Sequence, residues 1–266
     1  MKTLISIPTL LSLIRDVKLP AAAISVFQHD GNTYAGLDNK IVFRLDSDFL
    51  LHKLFIELSG RVESLIICKD RVYTLIHDNS TSHVVHVRDM SGDLVMSWTH
   101  TANSSLSDMM TLVSEQIVIP DQPNQRLILY SLTGQVLKYI PCNVIGTSIT
   151  TLCSCGDDSV VISDFGLRKV SRFNLATGKV MWTCSDVSMP LGVTCYGSQY
   201  VFVASGNSRT IRIFDAKRGK LLSEVSGAVL TDGIDSIYSL HSVNDVLIAC
   251  THDERSLLFF QLRTEL

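Results

Sequence analysis

Cys153 and Cys155 are separated by one serine. On a β-strand that spacing sends both thiols to the same face, as a metal or redox pair would need. No second cysteine pair or adjacent histidine completes a tetrahedral site, so filling a core as small hydrophobes is the favoured role. His83 and His86 are an odd number of residues apart, which turns their rings to opposite faces of a strand and makes a poor chelate. Asp30, Asp38, Asp78, Asp164 and Asp253 sit in loops or just after apolar runs. Converging on one axis they could hold the metal of a hydrolase or lyase, but aspartate is also a preferred turn residue, and solvated turns are the simpler account. There is no glycine-rich phosphate loop and no Gly-x-Ser-x-Gly nucleophile elbow. The sequence names no catalytic residue, no metal site and no cofactor.

The remaining candidate chemistry is basic. Arg168, Lys169 and Arg172 in one stretch, and Arg209, Arg212, Lys217 and Arg218 with Lys220 in another, recur at similar places in consecutive repeats. Repeats packed side by side would merge them into a patch able to meet an acidic peptide or a phosphate backbone. Few aromatics interleave with these residues, so no base-stacking platform is evident. The plainer alternative is that they solubilise the loops of an apolar chain.

These side chains need a scaffold, and composition limits its kind. The 266 residues are 46% hydrophobic, which excludes disorder and allows a large core. Twenty-three Lys and Arg against 26 Asp and Glu leave no footprint for bulk nucleic-acid or acidic-membrane binding, so neither DNA nor a membrane is an expected partner. Seven cysteines at irregular spacing suggest free thiols and a reducing, cytoplasmic compartment. A secretory reading competes, because Met1-Lys2, an apolar stretch and Ala21-Ala22-Ala23 resemble a leader. Pro8 within the stretch and Arg15, Asp16 and Lys18 after it argue against that reading. Asn79 and Asn103 fit glycosylation sequons, which matter only in a secreted chain.

The scaffold itself shows in a repeat. Turns at Gly92, Gly134, Gly178 and Gly219 each follow one apolar strand and precede another; Asp48 and Glu265 take the same slot in the first and last copies. These six positions lie 41 to 46 residues apart, a period that fits four strands per unit, as in a propeller blade. Two earlier strands per unit read as nearly continuous apolar runs, for example Val160-Val-Ile-Ser and Tyr200-Val-Phe-Val-Ala, as suits strands buried on both faces. The expectation is an all-β chain forming a six-bladed propeller, one domain over residues 1–266. Its blades span approximately 20–58, 62–100, 107–142, 148–185, 190–226 and 235–266. The sixth lacks its outer strand, and residues 1–8 are expected to supply it and close the ring.

The fifth unit, from Pro190-Leu-Gly-Val through Ser205-Gly-Asn to Phe214-Asp215, resembles an NHL repeat, and the fourth resembles a weaker copy. One good and one weaker copy leave the neighbouring WD-repeat and quinoprotein-like propeller families open; the histidine and Trp-Asp pairs of WD repeats are not visible, which favours the NHL-like side. The resemblance implies a binding propeller, of the kind that ends tripartite-motif proteins of the ubiquitin-ligase class and recognises proteins or RNA. No RING or B-box spacing and no coiled-coil heptads accompany it. The expected function is therefore a non-catalytic scaffold for a protein partner. Single-stranded RNA binding through the basic residues of the fourth and fifth blades is the alternative, and a metal-dependent propeller hydrolase or lyase comes third.

Overall fold

In the computed structural model, residues 11–55, 60–77, 83–100, 110–146, 148–156, 158–185, 187–206, 210–226, 237–251 and 255–262 are described. They form 24 strands and no helix. Five four-stranded antiparallel sheets follow one another along the chain. The first blade holds β2 (Ala23–His29), β3 (Asn32–Leu37), β4 (Val42–Leu45) and β5 (Leu51–Phe55), and the second β6 (Arg61–Cys68), β7 (Arg71–His77), β8 (His83–Asp89) and β9 (Leu94–His100). The third holds β10 (Thr111–Val113), β11 (Gln116–Asp121), β12 (Arg126–Tyr130) and β13 (Val136–Pro141), and the fourth β14 (Ile149–Ser154), β15 (Ser159–Asp164), β16 (Lys169–Asn174) and β17 (Lys179–Cys184). The fifth holds β18 (Pro190–Tyr196), β19 (Tyr200–Ser205), β20 (Thr210–Asp215) and β21 (Leu221–Ser226).

The sixth sheet joins the two ends of the chain: β22 (Ile237–Val243), β23 (Val246–Thr251) and β24 (Ser256–Leu262) pair in order, and β1 (Leu11–Lys18) lies antiparallel to β24. The all-β, six-bladed ring closed by an N-terminal strand is thus the architecture. The closing strand comes later than the expected residues 1–8, which lie outside the described residues. Chain reach explains the placement. Only four residues separate Lys18 from Ala23, comparable with the five between Cys184 and Pro190. The charges Arg15, Asp16 and Lys18 fit an outermost strand with little buried surface.

The core is divided among the junctions between blades. Each of six buried apolar clusters straddles one junction: Val193, Val201 and Phe214 of the fifth blade meet Val161, Val170 and Trp182 of the fourth, and Leu11, Phe260 and Leu247 of the sixth meet Phe202 and Ile211 of the fifth. The other four clusters fill the remaining junctions in the same way. Burial on both faces is why the second strands lack polar alternation.

The repeated turn glycines have two duties. Gly134 and Gly219 adopt φ of +82° and +65°, and a Cβ there would stand 2.5 Å from the Trp98 ring and 2.6 Å from the Trp182 ring. The outer strand of one blade therefore lays a tryptophan on the turn of the next. In the first blade the positive φ falls on Phe49, at 62°, one residue after Asp48. Phe49 N bonds Asp46 O as Gly92 N bonds Asp89 O, so Phe49 holds the glycine slot. Its ring packs edge-on against Phe259 at 4.9 Å, with the Arg15 guanidinium 5.4 Å from its centroid. Glu265 lies outside the described residues.

Candidate functional site

The innermost strands, β2, β6, β10, β14, β18 and β22, surround an axial cavity of about 290 Å³. Strands of adjacent blades do not share a ladder here, so their backbone groups need other partners. Hydroxyls supply them at five of the six junctions. Ser25 Oγ accepts from Leu65 N at 3.1 Å, Ser64 Oγ from Met110 N at 3.2 Å, Thr111 Oγ1 from Ser154 N at 3.1 Å and Thr194 Oγ1 from Ser242 N at 3.1 Å, while Thr151 Oγ1 donates to Leu191 O at 2.9 Å. At the sixth junction Phe27 and His241 bring their rings to 4.8 Å. Gly192 takes the place that Ser25, Ser64, Thr151 and Ser239 hold in other blades, because a Cβ there would meet Leu240 N at 2.8 Å. A small residue near the start of each inner strand was the sequence signal for this ring.

Besides hydroxyls, the cavity wall carries Cys153, Cys195 and His241. Solvent reaches His241 only in part. Its seclusion from bulk water pushes its pKa down to about 4, so the ring is neutral at physiological pH. Among the described residues no carboxylate lines the cavity.

The thiols are not arranged as the Cys153-Ser-Cys155 spacing suggests. Cys155 is buried at the junction of the fourth and fifth blades, as expected of core filling. Cys153 instead meets Cys195 of the next blade, Sγ to Sγ 3.6 Å. His83 and His86 do lie on opposite faces of β8, the first buried and the second half-buried.

The basic residues are not brought onto one surface. Arg172 is 1% exposed; its Nε donates to Ser159 Oγ at 2.9 Å, Nη2 to Cys155 O at 2.8 Å and Nη1 to Ala216 O of the fifth blade at 2.9 Å. It is an internal clamp between blades. Arg212 is offset from it by one place, since Phe173 matches Phe214, and one step along a strand changes the face. Arg212 reaches the surface and pairs with Glu224 at 2.9 Å. Exposed Arg168 and half-buried Lys169 lie where β15 turns into β16, whereas exposed Lys217 and Arg218 lie where β20 turns into β21. Those turns sit at opposite ends of equivalent third strands, hence on opposite faces of the ring. Arg209 lies outside the described residues.

The aspartates do not converge either. Asp164 is buried and accepts from Gly146 N at 2.7 Å and Leu167 N at 2.8 Å. Asp38 begins the turn after β3, on the face opposite the Asp30 turn; Asp78 and Asp253 lie outside the described residues. Asp30 does join His29 and Asp70 of the second blade, with His29 Nε2 3.5 Å from one carboxylate and 3.6 Å from the other. Among the described residues this is the one trio of metal-capable side chains within 4.8 Å of one another, and both carboxylates are about four-fifths exposed.

A feature of the outer strands was not read from the sequence. Thirteen large apolar residues are exposed among those described, and eleven belong to outermost strands or the turn entering them. They gather where each strand begins: Leu94 and Val95, Val136 and Leu137, Val180 and Met181, Leu221, with Tyr139 further along and Leu50, Leu13 and Ile14 on the first and sixth blades. They form a collar around the rim on the face that also carries Lys217 and Arg218. Exposed Lys138, Lys179 and Lys220 stand beside the collar on the third to fifth blades. Each looks like an ordinary strand hydrophobe in sequence; only its place at the edge of a sheet leaves it uncovered.

No protein-family model and no curated protein sequence matches this chain. Solved structures do. Virginiamycin B lyase from Staphylococcus aureus superposes with a TM-score of 0.71 at 9% identity, over 95% of this chain and 100% of that one. A catalytically inactive form of that lyase with quinupristin gives the same TM-score and coverage at 10% identity. The WD40 β-propeller domain of Doa1 gives 0.67 at 14% identity, over 96% and 97%. At such identities the likeness is one of fold, and it spans a lyase and a WD40 domain alike. The NHL resemblance of the fifth repeat stays a likeness of motif.

Proposed function

We propose that this chain is a binding propeller without catalytic activity, and that it engages an acidic, partly apolar segment of a partner protein on the collar of the third to fifth blades. The observation that carries the reading is the concentration of exposed apolar side chains at the start of the outer strands. Val136, Leu137, Val180, Met181 and Leu221 stand among Lys138, Lys179, Lys217, Arg218 and Lys220. Contiguous exposed apolar surface rimmed by charge is characteristic of protein contacts. A β-propeller also presents such a surface rigidly, so little ordering entropy is lost on binding.

The apolar and basic halves of the site are separable by substitution. Affinity capture with the wild-type chain, a Leu137→Glu/Met181→Glu variant and a Lys217→Ser/Arg218→Ser variant is the test. The reading expects one partner protein, retained by the wild type and lost from both variants. A partner held equally by all three would overturn it. So would capture of RNA that depends on Lys217 and Arg218 and ignores Leu137 and Met181.

A further inference from the structure

The Cys153–Cys195 contact is distinct from the collar, since it faces the axial cavity. The two thiols come from the innermost strands of neighbouring blades, 3.6 Å apart. Both line a cavity of about 290 Å³, so the space in front of them is open. Their strands are held in register by Thr151 Oγ1 and Ser163 Oγ, which both donate to Leu191 O, at 2.9 and 2.6 Å. A third thiol, Cys155, approaches Cys195 from the buried side. Two thiolates on one tetrahedral ion with bonds of about 2.3 Å stand about 3.8 Å apart, close to the separation already present. On one side the pair packs against the apolar cluster between the fourth and fifth blades, as a core-filling thiol would. On the other it borders the cavity, and both thiols keep partial exposure where Cys155 is 1% exposed.

We propose that Cys153 and Cys195 form a cavity-facing dithiol site for a thiophilic d¹⁰ metal ion of the zinc and cadmium type. Binding exchanges the two thiol protons, released to solvent, for two metal–sulfur bonds, with no change of oxidation state. The remaining coordination positions face the cavity, where water or a ligand oxygen can fill them. Burial raises the Cys195 thiol well above its ordinary pKa, which makes proton release part of the cost of binding.

Cd²⁺ titration of the reduced, folded protein in metal-free buffer tests the site through the sulfur-to-cadmium charge-transfer band in the ultraviolet. One equivalent should saturate the band, and Cys153→Ser and Cys195→Ser should each weaken binding at least tenfold, while Cys68→Ser should leave it unchanged. No band, or a band unaltered by Cys153→Ser, would overturn the proposal. Should the serine variants fold poorly, phenylarsine oxide on the wild-type chain serves instead. It condenses with two thiols, losing water, and peptide mass mapping should find one arsenic joining Cys153 to Cys195. Arsenic on other cysteines only would contradict the site.

Discussion

Arg172 shows how far a single residue's role depends on one step of register. Its guanidinium donates to three buried oxygens in two blades. After truncation Ala216 O still accepts from Trp182 Nε1 and Cys155 O from Ser159 Oγ, so what is lost is three charge-assisted bonds and the volume the side chain fills. Arg172→Ala should therefore cost about 3 kcal/mol or more in urea unfolding, against well under 1 kcal/mol for exposed Arg168→Ala. Two histidines give a second test at this scale. His100 is fully buried beside Tyr130, sharing a 2.8 Å hydrogen bond with its hydroxyl, and burial, with His83 nearby, pushes its pKa down to about 4; His241 is likewise near 4. With folded values below the unfolded value near 6.5, the unfolded chain takes up the proton first as pH falls. The contribution of these histidines should be intact above pH 6.5, fall between there and about 4, and level off below. The full effect is ~3 kcal/mol for the buried His100. Urea midpoints across that range should show the slope, and His100→Asn should reduce it; a profile as steep in the variant would count against the assignment. The sequence disclosed that these residues were charged or titratable, but not their faces. Arg172 and Arg212 read as equivalent until the alignment of Phe173 with Phe214 fixes their offset.

Among the elements, the strand frame was the most legible part of the chain, because period, turn chemistry and apolar runs agreed. What sequence could not supply was why particular turns carry glycine. Gly219 and Gly197 both have positive φ, at +65° and +55°, but a Cβ on Gly219 strikes Trp182 at 2.6 Å whereas one on Gly197 meets nothing within 4 Å. Gly197→Ala should cost only the left-handed backbone penalty, roughly 1 kcal/mol. Gly219→Ala should cost about 1–3 kcal/mol more, through the displaced tryptophan; equal melting temperatures for the two variants would refute the contact's importance. The exposed collar was illegible for a related reason. Val136-Leu137 and Val180-Met181 have the composition of core strands, and only topology, which puts β13 and β17 outermost, exposes them. Likewise the Cys153–Cys195 contact joins residues 42 apart, close to one repeat, a proximity that follows from packing equivalent inner strands side by side.

At the scale of the whole molecule, closure holds the ring together. Leu11 is buried in the cluster shared by the fifth and sixth blades, and β1 covers the edge of β24. Removing residues 1–18 should leave that edge unpaired, lower the melting temperature and promote association through it. A truncated chain that stays monomeric with unchanged melting would show that β1 is dispensable. Six junctional cores make the ring a rigid platform, and the proposed partner binding on the collar relies on that rigidity. Hydrogen exchange on the complex with the captured partner tests that account most directly. Slowed exchange should appear at the start of β13, β17 and β21 and in the Lys217–Gly219 turn, with the inner strands unchanged. Protection confined to the strands lining the axial cavity, with the collar exchanging as in the free chain, would contradict it.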